Sequence, residues 1–336
     1  MSGADPGKRP PVAGIHELSI EMPYSSSPVK LYLVEDEPLT LVDTGPNCAM
    51  SLRLLEAALG ELGHGLSDIE RVLVTHPHID HFGLASVIVE RGGAEVCAIE
   101  SSISWLEHYP RHRAIQAVFR ERLMTRHGVP EALRNRSLAT DTINEEWDPS
   151  IKVDRVLRAG ETVEFADRSL EVMLRPGHSP FDTVFHDARR GILFAGDHLI
   201  SNISSNPVIT PPDEALDIPR PKALLAYRDS LRKTQAMELD HVLAGHGGKI
   251  EDHRELIERR FASMERRRER VFGALAGGAT NAHEVALALW SSAALEQPYL
   301  TLTEVLGYLD ILGAAGVVRE ETDAGAVAEP VRLAVA

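Results

Sequence analysis

Three histidines and an aspartate fall within six residues in the run His76-Pro77-His78-Ile79-Asp80-His81, directly after Thr75. Neutral imidazole nitrogens and carboxylate oxygens are the donors that suit zinc and the neighbouring first-row cations. Two histidines one residue apart on a loop can converge on one ion. Asp80 and His81 stand where the loop turns into a helix, placed to reach a second ion. Asp80 is also in position to cap that helix and fix its direction. The bland alternative is a histidine-rich surface loop.

A pair of ions needs more donors than this run holds, and three other segments offer them. They are His178 in Arg175-Pro176-Gly177-His178-Ser179, Asp197 in Phe194-Ala195-Gly196-Asp197-His198, and His246 in Leu243-Ala244-Gly245-His246-Gly247-Gly248. In each, an apolar strand runs into glycine and then a ligand-type residue. Glycine lets the backbone approach a metal closely and turn sharply. Singly, each reads as a turn; together with the histidine run they form one constellation.

The elements that must position these residues are legible as hydrophobic patterns. Strand-like runs occupy 15–20, 29–34 and 39–42, the third ending in the turn Asp43-Thr44-Gly45-Pro46. A helix over about 50–62 leads to a buried strand over 69–75 that feeds the histidine run. A helix over about 81–91 follows, closed by Gly92-Gly93. This alternation predicts layered α/β architecture. Residues 101–150 are polar and helical in pattern and carry His108, His112 and His127; they read as a helical insert or lid with those histidines in solvent. Strands resume at 152–157, 162–165, 170–174, 183–186 and 192–194. A helix over 221–237, a strand over 241–244 and a long charged helix from about Asp252 complete a catalytic domain of residues 15–270. Glutamates interleave with arginines along that helix, which favours a solvated, internally paired face over a phosphate-binding strip. Residues 271–336 hold a capped helix start at Thr280-Asn281, a second helix over about 303–312 and a hairpin from 317–320 and 327–335, the outline of a winged helix. Residues 1–14 read as a disordered tail.

Composition bounds the chemistry. With 336 residues, 43% hydrophobic and 25% charged, the chain can build a core without a structural metal, so a metal here is expected to be chemical. The formal charge of −15 disfavours nucleic acid as a partner, because phosphate contacts need a basic face, although a local basic patch stays open. Cys48 and Cys97 give no disulfide framework, and Cys97 reads as a small buried hydrophobe. The N-terminal stretch lacks a signal-peptide apolar core, and no run approaches the roughly 18 apolar residues of a membrane span. The expectation is a cytoplasmic protein with no membrane contact; a homodimer stays open.

The order Asp43-Thr44-Gly45, His76-x-His78-x-Asp80-His81, Gly177-His178-Ser179, Gly196-Asp197, Gly245-His246-Gly247 resembles the metallo-β-lactamase-fold superfamily over roughly residues 15–250. The resemblance implies a four-layer αβ/βα sandwich with two divalent metals at one edge. It implies His76, His78 and His178 on one metal and Asp80, His81 and His246 on the other, bridged by Asp197. An aspartate there is similar to glyoxalase-II-like and ribonuclease-Z-like branches; a cysteine would have pointed to class B β-lactamases. Asp43 matches a position near the site that orients its neighbours without binding metal. The C-terminal segment, and the stretch from Gly196 through Asn206-Pro207, resemble the β-lactamase-like protein 2 group with its winged-helix tail. Two departures stand out: an insert longer than in compact members, and Phe181 where a small residue commonly follows the Gly-His-Ser-Pro run.

The leading expectation is therefore a binuclear hydrolase that uses a metal-bridging hydroxide on a small activated ester, thioester or lactone. Zinc is the first candidate, with iron or manganese accepted by the same donors. Asp80 is expected to orient the nucleophile and take its proton. His198 either faces the substrate as a proton donor or packs into the sheet. His186 and His241 read as core, and Ser179 as a turn hydroxyl with no paired base. Two alternatives stay open: a metal-dependent endoribonuclease of the ribonuclease-Z or β-lactamase-like 2 kind, and a non-catalytic metal-binding protein that kept the fold.

Overall fold

The computed structural model describes residues 12, 14–23, 25–142, 150–202, 205, 207–211, 219–321 and 331–335. Most of the expected tail, the end of the insert, Asn206 and the start of the second hairpin arm lie outside the described residues.

One sheet has the strand order β1 (Ile15–Met22), β2 (Ser25–Val34), β3 (Thr40–Val42), β4 (Arg71–Leu73), β5 (Glu95–Ile99), β6 (Arg155–Leu157). Its first three strands pair antiparallel and the rest parallel. The two-residue period of a strand divides β2 cleanly. Val29, Leu31 and Leu33 face one core; Tyr32 and Val34 face another. In the parallel strands both faces are buried, as in Leu41 and Val42, Val72 and Leu73, Val96 and Cys97. The second sheet runs β11 (His241–Ala244), β10 (Ile192–Gly196), β9 (Thr183–Asp187), β8 (Ser169–Leu174), β7 (Thr162–Glu164), antiparallel except for β10 with β11.

Tyr32, Val42, Leu73, Cys97, Leu170, Phe185 and Phe194 meet between the sheets. Helices α1 (Ala49–Glu61), α2 (Ile79–Phe82), α3 (Ala85–Gly92) and α4 (Ile103–Glu107) follow in the first half, and the outer face of the first sheet packs with Leu55, Phe82, Ile88 and Leu106. The helices α5 (Tyr109–Arg126), α6 (Glu131–Thr142), α7 (Ala223–Gln235), α8 (His253–Ala276), α9 (Ala282–Glu296) and α10 (Pro298–Ala314) precede a ribbon of β12 (Val318–Glu321) and β13 (Arg332–Val335). The outer face of the second sheet shares its core with them: Leu193 and Ala195 join Leu123, Tyr227, Ile257 and Leu306. The layers run helix, sheet, sheet, helix, the expected αβ/βα sandwich.

Three local expectations are revised. The helix read over 81–91 is broken into α2 and α3. The turn after β3 inserts there: Thr44 N–H donates to the His81 carbonyl at 2.7 Å, and Leu84 N–H donates to the Gly45 carbonyl at 3.0 Å. A continuous helix would use those same groups internally. Helix α5 contributes Phe119, Leu123 and Met124 to the core shared with the second sheet. His112 and His127 are accordingly buried, although His108 is exposed. The boundary expected near residue 271 falls inside α8. That helix is paired as anticipated, with Arg259 on Glu255 at 2.6 Å, Arg267 on Glu304 at 2.6 Å and Arg268 on Glu265.

The turn splice leaves no room for a side chain at Gly83, where a Cβ would sit 2.5 Å from Asn47 N and 2.5 Å from the Ile79 carbonyl oxygen. Gly83→Ala is expected to cost about 1–3 kcal/mol, seen as a lowered urea midpoint at unchanged slope. An unchanged midpoint would show that the turn and helix do not interlock.

Candidate metal centre

The ends of five strands meet at one edge of the sandwich. Asp43 follows β3, Thr75 and His76 follow β4, His178 follows β8, Asp197 follows β10 and His246 follows β11. Backbone bonds tie these ends together: Thr183 N–H to the Thr75 carbonyl at 2.9 Å, Gly245 N–H to Gly196 at 2.7 Å, and Lys30 N–H to Gly245 at 2.7 Å. The Tyr32 hydroxyl, reaching from the other sheet, donates to the Ala244 carbonyl at 2.7 Å. Close approach requires glycine at 245, where a Cβ would lie 2.5 Å from Asp197 Oδ1 and 2.7 Å from His81 Cε1.

Seven side chains converge. His78 Nδ1 lies 3.0 Å from His76 Nε2 and 3.0 Å from His178 Nε2. Three ring nitrogens so close cannot all be satisfied by one another's protons, because a neutral imidazole has one donor and one acceptor. Across from them, Asp80 Oδ2 lies 3.3 Å from His246 Nε2 and 3.9 Å from His81 Nε2. Asp197 stands between the groups. Its Oδ2 is 3.5 Å from His178 Nε2 and 3.6 Å from His246 Nε2, and its Oδ1 is 3.5 Å from His81 Nε2. Ligand atoms of His76, His78 and His178, of Asp80, His81 and His246, and of His76, His81 and Asp197 lie within 4.8 Å of one another in each set.

These donors fit divalent cations. Buried His81 Nε2 and Asp197 Oδ1 have no hydrogen-bond partner among the described residues. A buried polar atom left so is costly, and a cation between them removes the cost. The outward nitrogens show which atoms are presented. His81 Nδ1 pairs with Asp43 Oδ2 at 2.8 Å, His246 Nδ1 with the Pro28 carbonyl at 2.9 Å and His76 Nδ1 with Thr75 Oγ1 at 3.0 Å. With Nδ1–H donating outward, Nε2 keeps its lone pair for the cluster.

Asp43 and Thr75 organise this. Thr75 donates to Asp43 through its backbone N–H at 2.9 Å and its hydroxyl at 2.8 Å. One carboxylate thus orients His81 directly and His76 through Thr75. Asp43 sits at φ 60, a conformation that asparagine and aspartate tolerate best after glycine. Asp43 lies behind the cluster, bonded to His81 and Thr75; Thr75 was read from the sequence only as a strand end.

Electrostatics favour the donor forms of His76, His78, Asp80 and Asp197. Burial, with the neighbouring imidazoles, pushes His76 well below its ordinary value and His78 down to about 3. Burial alone would raise Asp80 and Asp197. The facing histidines, His81 foremost, outweigh it and hold Asp80 at about 2 and Asp197 well below the carboxylate range. Burial opposes a charge on His81 too, but Asp197, Asp43 and Asp80 override it and raise the ring, a sign that positive charge belongs at this point.

Two expected placements differ. His78, not Asp80, occupies the N-cap of α2, and no side chain caps it. Asp80 instead turns its carboxylate to His246. The structure does not bring His198 to the cluster: it has no exposure, its Nε2 pairs with Thr234 Oγ1 at 2.8 Å, and its ring meets Tyr227 edge-on at 5.9 Å. Burial pushes it down to about 3. Phe194 belongs to the core between the sheets, whereas His198 lies past the turn closed by its N–H on Ala195.

A cavity of about 210 Å³ opens beside His78 and Asp80. Ser179, Phe181 and Thr210 line it, together with Trp105, Tyr109, Arg113 and Gln116 from α4 and α5. Positions 109, 113 and 116 share one helix face, a spacing visible in the sequence but unremarkable without knowing where α5 lies.

Residues 27–246 match the family model of the metallo-β-lactamase superfamily. A probable metallo-hydrolase of Bacillus subtilis strain 168, YqjP, is 30% identical over 299 residues, spanning 88% of this chain and 91% of the relative. The crystal structure of a metallo-β-lactamase family protein from Thermus thermophilus matches with a TM-score of 0.79 at 27% identity, covering 96% of this chain and 99% of that one. A β-lactamase domain protein from Burkholderia ambifaria matches with a TM-score of 0.80 at 25% identity, covering 98% and 97%. At that coverage the likeness extends across the insert and the C-terminal helices.

Breaking the support while keeping the ligands isolates its role. Asp43→Asn and Thr75→Val are each expected to weaken zinc binding about 10–100-fold, measured by competition with a chromophoric chelator. Wild-type affinity in both variants would contradict the relay from Asp43.

Proposed function

The chain belongs to the metallo-β-lactamase superfamily, and from that premise we propose that it is a binuclear metallo-hydrolase of a small activated ester, thioester or lactone. The observation that carries this is Asp197 standing between two separate donor sets, 3.5 Å from His178 and 3.6 Å from His246. His76, His78 and His178 would hold one cation and Asp80, His81 and His246 the other, with Asp197 within reach of both. Two such ions, zinc first and iron or manganese next, would lower the pKa of bound water to about 7 and polarise a carbonyl.

The chain's own residues supply the rest. Asp80 lines the cavity, and its two histidine neighbours keep it ionised, so it can orient the attacking water and accept its proton. Asp43 and Thr75 keep the imidazoles pointed. Trp105, Tyr109 and Phe181 exclude bulk water from the reacting carbonyl. The buried His198 has no part in this scheme.

The size of the cavity favours a small substrate over a nucleic-acid strand: about 210 Å³ is below the roughly 300–1,000 Å³ of drug-sized sites. The arginines of α8 named above are paired with glutamates and offer no open basic groove. We read α9, α10 and the β12–β13 ribbon as the winged-helix-like module, packed here against α7 and α8.

At saturating zinc, Asp80→Ala is expected to lower thioester turnover by about 10²–10⁴-fold; retained turnover at full metal content would remove Asp80 from catalysis. Chelation is expected to abolish turnover and zinc to restore it. Salt-sensitive binding of single-stranded RNA on filters, with metal-dependent cleavage, would overturn the small-molecule reading.

A further inference from the structure

One buried carboxylate near the cluster has no part in the scheme above. Asp182 follows His178 in the loop between β8 and β9 and belongs to none of the donor sets. Its carboxylate is bonded to Ser179. The Ser179 N–H lies 3.1 Å from Oδ1 and 3.0 Å from Oδ2, and the Ser179 hydroxyl donates to Oδ1 at 2.6 Å. The same hydroxyl oxygen accepts the Phe181 N–H at 3.1 Å. The group read from the sequence as a turn hydroxyl is therefore directed inward at both its hydrogen and its oxygen.

The rest of the loop closes around this pair. Arg175 N–H donates to the Asp182 carbonyl at 2.7 Å, and Gly177 N–H donates to the Ser179 carbonyl at 2.8 Å. The second of these bonds brackets His178, whose own carbonyl accepts the Val208 N–H at 3.2 Å. Gly177 leaves no slack on the other side, because a Cβ there would lie 2.4 Å from Tyr227 Cδ2. The backbone of His178 is thus held on each flank, and its Nε2 is delivered 3.0 Å from His78 Nδ1 and 3.5 Å from Asp197 Oδ2.

Stability alone does not call for a carboxylate at 182. Burying a charge is costly, and apolar groups of the same shape in place of a hydrogen-bonded pair can be nearly neutral. An apolar residue, however, cannot fix the direction of the Ser179 N–H and hydroxyl beside a ligand. We propose that Asp182 is a positioning residue that acts through Ser179 to hold the His178 imidazole on its cation. It would serve the second half of the chain as Asp43, acting through Thr75, serves the first. This rests on the metallo-hydrolase reading above, because His178 is one of the donors assigned there.

A double-substitution cycle on the full chain tests the proposal, with zinc alone as the probe. Zinc affinity is read by competition with a chromophoric chelator, beside a urea midpoint for each variant. Asp182→Ala is expected to weaken zinc binding about 10–100-fold when His178 is present. In a His178→Ala background the same change should cost less than about threefold, because its route to the metal is already gone. Asp182→Asn, which keeps an oxygen acceptor and the shape, should retain part of the affinity, and Ser179→Ala should weaken it in the same His178-dependent way. These two variants carry the test if alanine at 182 prevents folding. Unchanged zinc affinity in the folded variants would overturn the proposal, as would equal losses with and without His178, the mark of a residue that only stabilises the fold. Losses that depend on His178 in a protein that turns over no thioester would uphold Asp182 and sink the hydrolase reading. Thioester turnover with equal losses in both backgrounds would do the reverse.

Discussion

Five imidazoles and two carboxylates share one nearly dry edge of the sandwich, and their mutual charge has to be compensated there. Burial disfavours every charged form, yet the carboxylates stay ionised because the histidines face them. His81 is pulled the opposite way for the same reason. Such a cluster is stable when positive charge is supplied at its centre, and divalent cations supply it without occupying the space of a side chain. The glycines at the strand ends, the Asp43 turn and the split between α2 and α3 all serve that concentration of donors.

Asp43 shows how the fold enforces it. Its turn is spliced into the α2–α3 junction through Thr44 and Gly45, so the turn cannot shift without moving the helix that carries Asp80 and His81. Its carboxylate then fixes the two rings from behind. Support of this kind converts a loop rich in histidine, which alone would be a loose chelator, into a site with assigned tautomers.

Much of this was legible in the residues. The order of glycine-preceded ligands marked the strand ends, and two-residue alternation marked β1 and β2. The seven side chains singled out in the sequence lie together at one edge. What was not legible depended on tertiary packing. Gly83 looks like a tolerated helix glycine until the β3 turn is seen lying against it. The polar α5 looks solvated, yet its few apolar residues dock on a core supplied by distant helices, burying His112 and His127. His198 neighbours Asp197 in sequence but falls on the far side of the turn, where Thr234 and Tyr227 enclose it. The cavity beside the histidine run is walled largely by α4, α5 and the loop after His178, elements whose meeting at that edge depends on how the insert packs.

The central claim is that two donor sets share Asp197, and metal stoichiometry tests it most directly. Inductively coupled plasma analysis of the purified full chain, after equilibration with zinc and removal of free ions, should find two ions per chain, falling to one or fewer in Asp197→Ala. A single ion in the wild type, or two undisturbed ions in the variant, would contradict a shared binuclear centre.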